Sequence, residues 1–221
     1  MKSRFIQLGA LCGAAALLAA CSSQIPANDE VPDRTELLTI AIAPNSYEQV
    51  ILGEVYKQVL QRKGRDATVV TMAASEDSLL YTLGRSSNDI VIGCSGRLLH
   101  DTNPSKAAEL AAQYPDFRNP TPEQQDERRE ATYKAMVSGL SNGLDAADPS
   151  NASGCADATD GLAENFVPIF RSAAVPRETR LMLNNASGAM TTKEVAELVS
   201  EAQAGESPKD LVSEYLDSKD V

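Results

Sequence analysis

The sequence predicts an α/β fold, a mostly parallel sheet flanked by helices, and three observations carry that prediction. Short β-rich apolar runs alternate with helical patterns from residue 37 to residue 93, joined by short loops. Helix-start and helix-stop residues punctuate the alternation where the period changes. A last β-type run, FVPIF at 166–170, is followed by three helical segments.

Taken in order, residues 37–43 (LLTIAIA) form the first predicted strand. A helix runs from Ser46 to Lys63, opened by a capping box over Ser46-Tyr47-Glu48-Gln49 and stopped at Gly64. Residues 67–72 make a second strand, 75–85 a shorter helix and 89–93 a third, buried strand. This is the βαβαβ signature of a parallel sheet. Residues 104–114 read as helical, PDFRNPTP at 115–122 interrupts them, and Thr121-Pro122-Glu123-Gln124 opens a helix reaching about Leu140. The run 145–161 (DAADPSNASGCADATDG) reads as a loop, since its small, turn-forming residues offer few apolar side chains. Pro168 inside FVPIF predicts an edge strand or a bulge. The closing helices are expected at 176–184, after the cap Thr191-Thr192-Lys193-Glu194, and after Ser207-Pro208.

The first twenty residues do not belong to this fold. Lys2 and Arg4 precede an apolar run at 8–20 that is too short to span a bilayer, the pattern of a secretory leader. Leu18-Ala19-Ala20-Cys21 resembles the lipobox of bacterial lipoproteins, which implies a lipidated Cys21 as mature N-terminus; an ordinary secreted protein is the alternative. Residues 21–36, polar with prolines at 26 and 32, read as a flexible tether to a domain over 37–221. Export leaves Cys94 and Cys155 in an oxidising compartment, where a pair of cysteines is expected to join; two unrelated small residues are the alternative.

Thirty-one acidic against 20 basic residues give a formal charge of −11. That excludes a nucleic-acid role driven by phosphate contacts and permits a cationic or zwitterionic ligand. Enzyme signatures are missing from the sequence. The one histidine, His100, falls in the loop expected after the third strand and has no nucleophile paired with it in sequence. No phosphate-binding glycine loop, nucleophile elbow, metal-ligand spacing or cofactor motif occurs. The carboxylates of EQQDERRE, 123–130, alternate with arginines and read as a solvated helix face.

The corner between first strand and first helix is the candidate site. Ligands of open α/β sheets sit beyond the carboxyl ends of the strands, where a helix start offers N–H groups to a carboxylate. Asn45, Ser46, Tyr47 and Gln49 would form a polar ledge there, although Ser46 and Gln49 are equally accounted for as a helix cap.

The segment APNSYEQVILGEVYKQVLQRKG, 43–64, resembles the opening of the substrate-binding lipoproteins of glycine betaine/choline/proline-type ABC importers. Their Asn-Phe-Thr-Glu-Gln and Leu-Gly-Glu-x-Tyr patterns read here as Asn45-Ser46-Tyr47-Glu48-Gln49 and Leu52-Gly53-Glu54-Val55-Tyr56. NDIVIGCSGRLL, 88–99, is similar to a later segment of theirs, with Asp89, Ser95, Gly96, Leu98 and Leu99 in matching or similar places, and 164–217 resembles their closing strand and helices. The resemblance implies a periplasmic-binding-protein-like lobe whose second lobe, at 100–163, is reduced or missing. It implies a small zwitterionic or quaternary-amine solute bound by Asn45, Ser46, Tyr47, Gln49, Ser95 and Gly96. ABC permease and ATPase subunits would be the partners, on the extracytoplasmic face of the cell membrane. The chain departs from the family at the aromatic cage such solutes need: it has no tryptophan, and the candidates are Tyr47, Phe117, Tyr133 and Phe170. A degenerate envelope lipoprotein with an interaction role and no solute is the alternative.

Overall fold

The computed structural model describes residues 36–43, 45–72, 79–85, 88–114, 120–155 and 161–219. The expected leader at 1–20, Cys21, the expected tether as far as residue 35, the expected helix start at 75–78 and Phe117 lie outside the described residues. The first half of the chain runs β1 (Leu38–Ile42), α1 (Tyr47–Arg62), β2 (Ala67–Thr71), α2 (Leu79–Arg85) and β3 (Ile90–Cys94). α3 (Ser95–Thr102) follows β3 without a loop, then α4 (Pro104–Ala111) and α5 (Pro122–Ser138). β4 (Leu144–Ala146), β5 (Phe166–Arg171), α6 (Arg177–Ala189), α7 (Thr192–Gln203) and α8 (Pro208–Lys219) complete it. None of the described helices is long and apolar enough to cross a membrane.

The sheet has strand order β2-β1-β3-β5-β4. β1 pairs in parallel with β2 and β3, whereas β5 runs antiparallel between β3 and β4. Four strands therefore share one direction and β5 opposes them. Because both faces are covered, β1 and β3 read as continuous apolar runs without alternation. One face packs on α1, α6, α7 and α8 through Ile40, Ile92, Phe166 and Phe170. The other face packs on α2, α3, α4 and α5 through Ala41, Val91, Val167 and Ile169. Gly53 sets how closely α1 lies on the sheet: a Cβ there would stand 2.8 Å from Ile42 Cγ2 and 3.3 Å from Val69 Cγ1.

Three expectations are corrected. β5 is neither an edge strand nor bulged. Pro168 stands opposite Ala147, one step past the last residue of the short strand β4, and its carbonyl accepts from the Ala147 N–H at 2.9 Å. The return bond that Pro168 cannot donate is supplied from another element, since the Tyr133 hydroxyl on α5 donates to the Ala147 carbonyl at 3.0 Å. The region 145–161 is not all loop: it begins inside β4 and returns to the sheet through a bridge between Ser153 and Asn165. His100 sits in the last turn of a helix, α3, not in a loop. Residues 100–163 give α4, α5 and β4 to the same three-layered body, so among the described residues there is one lobe and no second.

Cys94 and Cys155 are joined, the pairing the sequence predicts, with Cα atoms 6.4 Å apart and a separation of 61 positions in sequence. Closing a ring of that length stabilises the folded state by roughly 4 kcal/mol in the chain-entropy account.

Candidate functional site

At the carboxyl end of β1 the chain turns through Asn45, whose φ of 59° lies in the left-handed region that asparagine tolerates better than most residues. Ser46 then caps α1, its hydroxyl accepting from the Gln49 N–H at 3.2 Å. The capping box expected here is only half made. Gln49 does not return to the cap; its side chain turns inward and donates to the Ile92 carbonyl at 3.2 Å, leaving its Oε1 buried without a partner. Asn45 and Tyr47 face solvent, with Tyr47 47% exposed.

The ledge lies beside the start of α3 at Ser95 and Gly96. A Glu48 carboxylate oxygen, Cys94 Sγ and Cys155 Sγ fall within 4.8 Å of one another. Among the described residues no other three side chains stand at metal-site spacing, and sulfurs joined in a disulfide have no thiolate to offer an ion.

Ser95 and Gly96 face the chain itself. Ser95 is fully buried, its hydroxyl donating to the Ala163 carbonyl at 2.6 Å and its N–H to the Asn165 carbonyl at 2.9 Å. Glu164 lies across Gly96 so closely that a Cβ there would stand 2.5 Å from Glu164 Oε1. Its other oxygen accepts from the Arg97 N–H at 3.2 Å. Cys94, the cap residue just before α3, supplies no side-chain hydrogen bond, so the carboxylate of a distant segment takes the anion position at that helix start. The strap 161–165 is also held by α5: Arg128 donates to the Gly161 carbonyl at 3.3 Å, and the Ala163 N–H donates to Thr132 Oγ1 at 3.3 Å.

The aromatic candidates do not meet. Tyr47 stands at the mouth, but Phe170 is buried in the core with the Arg180 guanidinium 5.9 Å from its ring centroid. Tyr133 points its hydroxyl at the sheet edge, and burial raises that phenol above its usual pKa.

Among the cavities lined by described residues, two flank the sheet. The larger, about 750 Å3, opens at the amino ends of β3 and β4, lined by Tyr81, Asp101, Asn142 and Arg171 among others. That is the end opposite the one where α/β sheets take ligands. The smaller, about 220 Å3, lies at the carboxyl end, on the far side of the strap from α3. Arg128, Arg129, Asn151 and Asn165 line it with Gln125, Ser153 and Glu164. The sequence places the two arginines on a solvated face; in the structure both are half-buried. The signal that marks them is a pair of arginines in the first turns of a helix with a turn-rich segment downstream that can fold over them.

No family model and no curated protein matches the chain. Among solved structures, apo YehZ from Escherichia coli matches with a TM-score of 0.61 at 13% identity, covering 83% of this chain and 99% of that one. The apo open structure of a TRAP periplasmic solute-binding protein from Marinobacter aquaeolei VT8 matches with a TM-score of 0.37 at 14% identity, covering 83% and 84%. With the sheet order and the helices on both faces, the first likeness gives the fold as an α/β, periplasmic-binding-protein-like lobe.

Proposed function

We propose that the chain is a lipid-anchored, extracytoplasmic solute-binding component of an importer for small zwitterionic solutes. The observation that carries this reading is a polar cavity of about 220 Å3 at the carboxyl end of a periplasmic-binding-protein-like sheet, the end at which Asn45–Gln49 also stand, although none of those residues lines it. A leader ending at Cys21 supports the anchor, and the motif resemblance supports an ABC permease and ATPase as partners. Glycine betaine and choline are the solutes that resemblance implies. Asn45, Ser46 and Tyr47 would contribute from the open rim. Gln49 would act from below it, and Ser95 and Gly96 would take part only if the strap lifts.

The strap favours one second reading, an envelope lipoprotein that has lost its solute, because Glu164 takes the anion position at the α3 start. Purification of the tagged full-length protein from detergent-solubilised membranes separates the two. Recovery of a multi-spanning permease with an ATPase is the outcome expected. Recovery of other envelope proteins with no permease overturns the importer reading.

A further inference from the structure

The larger cavity lies at the end of the sheet that the solute-binding reading leaves unused. Its volume, about 750 Å3, falls within the roughly 300–1,000 Å3 of pockets that take small organic ligands. Leu80 and Leu83 of α2 and Leu144 of β4 give it an apolar wall, while Asp101, from the last turn of α3, and Asn142, from the turn before β4, are polar. Arg171 and Asp101 are the charged residues of the lining, and only one of the two charges is matched at close range. Arg171 pairs with the buried Asp89, whose second oxygen accepts from the Thr39 N–H at 2.8 Å. Asp101 differs: among the described residues its carboxylate makes no hydrogen bond or ion pair, and the Asn142 amide makes none either. Although Asp101 keeps contact with solvent, desolvation raises its carboxyl above the usual pKa, by more than the longer-range pull of Arg97 and His100 lowers it.

A carboxylate partly stripped of water, at the negative end of a helix dipole and in a chain of formal charge −11, is a seat for a cation. A hard metal ion needs several oxygen ligands, and Asp101 is the one carboxylate of the lining. An organic cation meets both walls, since the leucines cover an apolar body while the carboxylate takes the charge. The single ring of Tyr81 is no aromatic cage, so a quaternary ammonium finds little to hold it, whereas an ammonium with N–H groups can donate to Asp101. We infer that this cavity is a second ligand site, for a primary alkyl- or arylamine, its ammonium donating to Asp101 and its apolar body lying along Leu80, Leu83 and Leu144. The inference stands apart from the solute-binding reading, which uses the other end of the sheet.

Calorimetry of the detergent-purified full-length protein, with a matched detergent blank, tests it against phenethylamine, hexylamine, phenethyltrimethylammonium and hydrocinnamate. The two amines are expected to bind, the trimethylammonium compound roughly tenfold more weakly, and the anion not at all. Asp101→Asn should weaken the amines roughly tenfold or more, the loss of a charge-assisted contact. Asn142→Lys is the second variant, independent of α3: it sets a positive charge in the lining from an exposed turn position and should weaken the amines as well. Neither substitution should move the thermal midpoint. Amine binding that survives both substitutions, binding of the trimethylammonium compound or the anion as tight as that of the amines, or silence towards both amines overturns the assignment. Co-purification of a permease decides the importer reading separately, whichever of these is found.

Discussion

Asn45 turns the backbone at the mouth of the sheet and, in the proposed reading, also meets the solute there. Its left-handed φ of 59° is what lets β1 turn into α1, and its exposed side chain stands where a solute would arrive. The two roles separate by substitution. Asn45→Gly keeps the backbone freedom, so the urea midpoint should stay near wild type, while Asn45→Val should cost about 1–2 kcal/mol from forcing a β-branched residue into that region. If both variants unfold alike, backbone geometry is not why asparagine stands there. The neighbouring cap was half legible: Ser46 announces a helix start in sequence, but nothing in Ser-Tyr-Glu-Gln says that Gln49 will turn inward to Ile92. Burial of a polar side chain depends on which strand lies underneath, and that is a tertiary fact.

At the scale of elements, α7 and α8 are tied at opposite ends by Glu194 and Lys219, 2.6 Å apart. The hydrogen bond from Lys219, with those from Thr191, holds the Glu194 carboxyl below its usual pKa. A folded-state pKa below the unfolded one gives stability that is present above about pH 4.5, the ordinary glutamate range, and is lost as pH falls through the lower folded value. Urea midpoints of the wild type should therefore exceed those of Glu194→Gln at pH 7 and converge with them in acid; a gap that persists at pH 3 would refute the linkage. The Thr191–Glu194 capping box was readable, as was the one at Thr121 and Gln124, because both are local in sequence. α3 and β4 were not. α3 has only Leu98 and Leu99 fully apolar and buried and borrows its cap from Glu164, and β4 is three residues long, so neither carries enough period to be seen. Pro168 misled for a related reason, since the hydroxyl that replaces its missing donor comes from α5.

For the molecule as a whole, the α/β class followed from residues 37–93 because each strand and helix there is continuous and locally punctuated. The destination of residues 100–163 did not follow. Their helices are polar on most faces, and the apolar residues they bury, among those described, are Ala107, Leu110 and Met136, too sparse a set to reveal that they cover the second face of the same sheet. The cavity was invisible for the same reason, being made where α5, the strap and the start of α7 converge. The bond between Cys94 and Cys155 encloses α3, α4, α5 and β4 in one covalent ring hung from β3. A protease that cuts once between residues 95 and 154 therefore leaves a single molecule: the nicked chain should migrate as one band without reductant and as two with it.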